Sequence, residues 1–140
     1  MFDKILLAVD GSDHALQAAR KAAELARAMN SKDFRIVVAY DFIPPYLGEP
    51  NMQSAINARM DDANAFVQKA METVGKIPCE IHVELIEGSP AEAIIKVANS
   101  FKCDVIVMGS RGLGTLAGLL LGSTSQKVVA HAPCPVLIVR

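Results

Sequence analysis

Lys4-Ile5-Leu6-Leu7-Ala8-Val9 is apolar throughout after Lys4 and stops abruptly at Asp10-Gly11-Ser12. A nearly continuous apolar run closed by a turn is the pattern of a strand buried on both faces, as in a parallel sheet. Beyond the turn, Ala15, Leu16, Ala19, Ala22, Ala23, Ala26 and Met29 recur at helical spacing, with Ser12 placed as N-cap. Strand, tight turn and amphipathic helix make the first half of a βαβ unit, and the same alternation continues to the end of the chain.

Phe34 to Tyr40 reads as a second strand, and Pro44, Pro45, Gly48 and Pro50 keep the next ten residues irregular. A long helix is expected from Asn51 to Val74, closed by Gly75, with Ile56, Met60, Ala63, Phe66, Val67 and Ala70 inward. In Cys79 to Glu87, Ile81, Val83 and Leu85 alternate with His82 and Glu84, which suits an edge strand. Gly88-Ser89-Pro90 opens another helix, with Ser89 as cap and Pro90 at the first helical position, reaching about Ser100. Asp104 to Met108 is the fourth strand. A glycine-rich stretch from Gly109 to Gly122, a helix from Ser123 to about His131 and a strand from Pro135 to Val139 complete the chain.

This order predicts one α/β domain over residues 1–140: a single five-stranded parallel sheet with helices on both faces, Rossmann-like. Two orders are common for such a sheet, 3-2-1-4-5 and 2-1-3-4-5, and the first is favoured here. It sets strand one beside strand four, whose crossovers leave toward opposite faces and open a crevice at the carboxyl ends. Asp10 and Gly109 would meet there.

The composition limits the partners. Fourteen basic and fifteen acidic residues leave a net charge of −1, with no basic run to neutralise a row of phosphates, so nucleic acid is not the expected partner. No apolar run approaches the roughly 20 residues that span a bilayer, and a cytoplasmic location without membrane contact is expected. Cys79, Cys103 and Cys134 are odd in number and far apart, the pattern of reduced, mostly buried thiols rather than a disulfide framework. His14, His82 and His131 lack ligand spacing, which argues against a zinc site, and His14 and His131 are expected at the surface.

The chemistry concentrates in Gly109-Ser110-Arg111-Gly112, nine further residues, and Gly122-Ser123-Thr124-Ser125 at a helix start. Glycines let backbone N–H groups approach phosphate oxygens, and a helix N-terminus adds unpaired amides and the positive end of its dipole. Ser123, Thr124 and Ser125 bring hydroxyls, Ser123 also reads as an ordinary N-cap, and Arg111 can pair with a phosphate. A Walker loop is excluded, because Gly114 is followed by Thr115 and Leu116 instead of lysine and a hydroxyl residue. Leu113, Leu116, Leu119, Leu120 and Leu121 are many leucines for a loop; packing onto the core or a partner surface are both open.

Gly109, Gly112, Gly122 and Ser123 match Gly-x2-Gly-x9-Gly-Ser or Thr, by which the sequence resembles the ATP-binding members of the universal stress protein family. The resemblance covers the whole chain. It includes ILLAVDGS at 5–12, Gly88-Ser89-Pro90 and HAPCPVLIV at 131–139. It implies an ATP site with Mg²⁺, in which Asp10 lies near the ribose or metal, Tyr40 at the end of strand two touches adenine through backbone, and the loop wraps the phosphates. Met108, Gly109, Arg111, Gly112, Gly122, Ser123, Thr124 and Ser125 complete the expected nucleotide-binding set. The nine-residue spacer has Thr115 as its one polar side chain where relatives often carry a basic residue.

No GxSxG elbow, Cys–His pair or carboxylate dyad is evident, so no covalent hydrolase is expected. The leading reading is an ATP-binding regulatory protein, a nucleotide-dependent switch that presents its surface to a protein partner. Two others stay open: a slow ATPase or autophosphorylating phosphotransferase using Asp10 and Mg²⁺, and an AMP-binding or ligand-free dimeric module. In the order 3-2-1-4-5 the last strand is an apolar edge, which predicts a homodimer through the terminal strands with Arg140 at its boundary, as the resemblance also implies.

Overall fold

A computed structural model of the protein describes residues 1–42, 48–110 and 121–140. Its elements are β1 (Lys4–Ala8), α1 (Asp13–Met29), β2 (Asp33–Tyr40), α2 (Asn51–Val74), β3 (Ile81–Glu87), α3 (Pro90–Ser100), β4 (Val105–Gly109), α4 (Ser123–His131) and β5 (Val136–Val139). The strands form one parallel sheet in the order β3-β2-β1-β4-β5. Of the two expected orders, this is the one that brings β1 and β4 together.

The strand period of two divides the core. Ile5, Leu7, Phe34, Ile36, Val38, Val105 and Val107 face the side covered by α1 and α2, whereas Leu6, Ala8, Val37, Ile106 and Met108 face the side covered by α3 and α4. Both faces of β1 and β4 are therefore dry, which is why their sequences read as unbroken apolar runs. Toward the sheet α1 presents Ala15, Ala18, Ala19, Ala22, Ala23 and Ala26, all buried. Short side chains let this helix lie close to the strands, and the closeness matters at the site.

Each helix end follows local chemistry. Ser12 caps α1, its Oγ accepting from the Ala15 amide at 3.2 Å. Asn30 closes α1 in the left-handed conformation. Arg27 reaches across to α2 and donates to the carbonyls of Val74 at 2.8 Å and Lys76 at 3.0 Å, satisfying acceptors that a helix C-terminus leaves open. At the opposite end of the sheet, Asp104 Oδ2 accepts from the amides of Asp3 and Lys4 and ties the entrance of β1 to β4.

Some expected burial differs. Met29, in the last turn of α1, is 40% exposed, and Val83, on the edge strand β3, is 38% exposed. Ser89 caps α3 by backbone conformation alone, without a side-chain hydrogen bond. Gly122, not Ser123, is the N-cap of α4, so Ser123 is its first helical residue. Among the leucines of the glycine-rich stretch only Leu121 lies within the described residues, and it is half-buried.

Candidate functional site

Where β1 and β4 end side by side, their connections depart to opposite faces and leave a cavity of about 380 Å³. Ala8, Val37, Ala39, Ile94 and Met108 form its apolar floor. Asp10, Ser12 and Asp41 stand on one side of its mouth, and Gly109, Gly122, Ser123, Thr124 and Ser125 on the other. An apolar pocket with a few convergent polar groups is the usual build of a small-molecule site.

Asp10 is held from within the turn. Its Oδ1 accepts from the Ser12 amide at 2.9 Å and from the Ser12 hydroxyl at 2.6 Å, and that hydroxyl in turn accepts from the Ala15 amide. One carboxylate oxygen thus organises the start of α1. The turn passes through Gly11 at φ +85°, where a β-carbon would also come within 2.5 Å of the Phe66 ring.

The other wall is a network around two buried serines, Ser110 and Ser125, each 2% exposed. The Ser125 hydroxyl reaches the carbonyls of Gly109 at 2.9 Å and Ser110 at 3.3 Å. The Ser110 carbonyl also accepts from the Gly122 amide, and the Ser110 amide donates to Val139, both at 2.8 Å. Buried hydroxyls satisfied in this way fix the start of α4 against the end of β4. The Gln126 amide returns to the Gly122 carbonyl at 3.0 Å as the first helical bond, so the amides of Ser123, Thr124 and Ser125 precede the ladder. A glycine cap has no side-chain oxygen to occupy them. They meet the cavity at the positive end of the helix dipole, an arrangement suited to an anion.

Of the residues singled out in the sequence, Asp10, Met108, Gly109, Gly122, Ser123, Thr124 and Ser125 line this one cavity. Arg111 and Gly112 lie outside the described residues. Tyr40, expected to contribute through its backbone, lines a depression of about 210 Å³ that shares Asp10, Ala39 and Asp41 with the cavity and adds Arg59, Asp62 and Phe66. Along β2, Val37 and Ala39 point toward α3, so Tyr40 falls on the opposite face, and its carbonyl accepts from the Gly88 amide at 2.8 Å. The residues this reading missed are Asp41, Ala39 and Ser12, and the alternation at the end of β2 was the signal for the first two. His14 is half-buried rather than at the surface, with Nδ1 3.3 Å from the Ser110 hydroxyl.

Among the described residues that line the cavity there is no lysine, arginine or histidine. No group of three or more His, Cys, Asp or Glu among the described residues is arranged to hold a metal ion. The cysteines are free, and burial pushes the thiols of Cys79 and Cys134 up and that of Cys103 to about 11, which makes them poor nucleophiles. Among the described residues no helix is long and apolar enough to cross a membrane.

The model of the universal stress protein family matches residues 1–140. The chain is 50% identical, over the full length of both, to the Thermus aquaticus universal stress protein from the 3′ region of a QAH/OAS sulfhydrylase. The solved structure of universal stress protein UspA from Lactobacillus plantarum superposes with a TM-score of 0.86 at 26% identity, covering 99% of this chain and 98% of the other. A universal stress protein solved in complex with cAMP aligns at 32% identity with a TM-score of 0.68, covering 99% and 97% of the two chains.

Proposed function

We propose that this chain, which belongs to the universal stress protein family, binds an adenine nucleotide in the crevice between β1 and β4 and acts as a nucleotide-dependent regulatory switch in the cytoplasm. The observation that carries the reading is the opening of the α4 N-terminus, with its glycine cap and three hydroxyl residues, onto an apolar cavity. In this assignment the base lies on the floor made by Ala8, Val37, Ala39 and Met108. The phosphates lie against Gly109, Gly122 and Ser123 to Ser125; Arg111 and Gly112 of the same motif, outside the described residues, belong to the proposed set. The cAMP complex of a relative at 32% identity supports an adenylate in this fold.

ATP with Mg²⁺ is the preferred ligand. Asp10 and Asp41 both line the mouth, and carboxylate oxygens are hard donors that suit Mg²⁺. Because Asp10 Oδ1 already accepts two hydrogen bonds, at most one oxygen of that residue is free, and the ion must take its remaining ligands from phosphate and water. Mg²⁺ bound in this way offsets the repulsion between two aspartates and a triphosphate. The relative's cAMP also favours a second reading, in which the resident ligand carries a single phosphate.

Titration calorimetry of nucleotide-stripped protein with ATP and with AMP, each with and without Mg²⁺, tests these readings, and ADP release in the same samples tests turnover. Tight Mg²⁺-dependent ATP binding without ADP fits the switch, and steady ADP release makes the protein a slow ATPase. Absence of binding overturns the assignment. Gly122→Leu should abolish most ATP affinity, since it places a side chain in the phosphate end; unchanged affinity would move the site elsewhere.

A further inference from the structure

His14 lies in the first turn of α1, outside the cavity, with its Nδ1 3.3 Å from the hydroxyl of Ser110. Ser110 is a junction. Its amide is fixed to β5 through Val139, and its carbonyl receives both the Gly122 amide and the Ser125 hydroxyl. The Ser110–Gly122 bond joins the two residues that bracket residues 111–121, and it sets where α4 begins relative to the end of β4. The hydroxyl of Ser110 is 96 positions from His14 in the chain, so this contact exists only because β1 and β4 are neighbours.

We propose that His14 is a positioning residue for the phosphate end of the site, acting through the Ser110 hydroxyl on the placement of the α4 amides. The proposal rests on the adenine-nucleotide reading above. Ser110 is 2% exposed, and the imidazole of His14 is the side chain its hydroxyl meets on the α1 side. Without that partner the side chain turns elsewhere, and Ser110 loses the contact that orients it from the α1 side. Hydrogen bonds to phosphate weaken steeply with misalignment, whereas contacts of a base with the apolar floor do not depend on these amides.

The test separates position from packing. His14→Ala keeps the β-carbon and main chain that lie against Gly109 and removes only the ring. In His14→Asn the side-chain amide places a donor or an acceptor at the same bond distance from Cα as Nδ1, and so serves either tautomer. Dissociation constants for Mg²⁺·ATP and for adenosine are measured on wild type, His14→Ala, His14→Asn, Ser110→Ala and the double variant His14→Ala/Ser110→Ala. His14→Ala should weaken ATP about 3- to 10-fold, the worth of one hydrogen bond, and leave adenosine within about twofold. His14→Asn should restore ATP affinity, and the double variant should be no weaker than the weaker single variant. Equal losses for ATP and adenosine, an unchanged ATP affinity in His14→Ala, or failure of His14→Asn to rescue would each overturn the positioning role alone. A wild-type protein that binds neither ligand would overturn the nucleotide reading, and the role of His14 with it.

Discussion

Gly109 lies directly beneath His14: a β-carbon added to Gly109 would come 2.7 Å from Cβ of His14, and 2.9 and 3.0 Å from that residue's carbonyl carbon and oxygen. The obstruction is mainly helix backbone, so it cannot be relieved by a rotamer change. The first glycine of the nucleotide motif is thus required by the packing of α1 on β4, before any phosphate is considered. Gly109→Ala should destabilise the protein by about 2 kcal/mol in urea unfolding, within the range of overpacked cores. A loss below about 0.5 kcal/mol would show that α1 yields freely.

Asp10 holds the turn through one carboxyl oxygen and lines the cavity, and its structural role can be separated from the proposed ligand role. Asparagine retains an acceptor oxygen for the Ser12 amide and hydroxyl, so Asp10→Asn should fold with stability within about 0.5 kcal/mol of wild type. Its missing charge should weaken Mg²⁺·ATP about tenfold. Asp10→Ala removes the acceptor too and should lose about 1 kcal/mol in chemical denaturation. If Asp10→Asn bound Mg²⁺·ATP as wild type does, the residue would belong to the turn alone.

The fold was legible because its evidence is local. The apolar runs at 5–9 and 105–108, the alanine stripe of α1, and helix starts such as Ser12 and Ser89-Pro90 each declare their element within a few residues, and alternating elements leave few topologies. The α4 end of the cavity was legible for the same reason, since Gly122 and Ser123 to Ser125 are contiguous. Asp41 shows where this stops: whether the residue after β2 lines the crevice depends on the phase of β2 in the finished sheet, which no local pattern declares. The His14–Ser110 contact has no signature at all, because it joins the first turn of α1 to the end of a strand brought there by topology.

The raised thiol of Cys103 gives stability a defined alkaline dependence. With a value of about 11 in the folded chain against an ordinary 9.0, the unfolded state loses its proton first, so between these values it binds fewer protons than the native state. Stability from this group is complete below pH 9 and falls as pH rises toward 11. Denaturation midpoints measured from pH 8 to 11 should therefore decline, and Cys103→Ala, despite a lower overall stability, should decline less. Identical slopes for the two proteins would show that other groups govern the alkaline limb. Iodoacetamide should also label Cys103 more slowly than Cys79 or Cys134, which are half-buried.

The last prediction concerns assembly. β5 pairs with β4 on one side and forms the edge of the sheet on the other. Leu137 on this strand is 41% exposed, and Val129 of α4, the helix packed against it, is 50% exposed. Among the described residues no strand pairs with the outer side of β5, and an apolar edge with no charge between Val136 and Val139 is a template for pairing with another strand, the simplest partner being β5 of a second copy related by a twofold axis. The proposed homodimer should elute at twice the chain mass at micromolar concentration. Leu137→Lys should convert it to a monomer, because two lysines would face each other across the new seam. The monomer should keep its fold, since the side chain is already half in water, and its ATP affinity should be unchanged because Leu137 does not line the cavity. Wild type eluting as a monomer, or a Leu137→Lys variant that stays dimeric, would place the interface away from this edge.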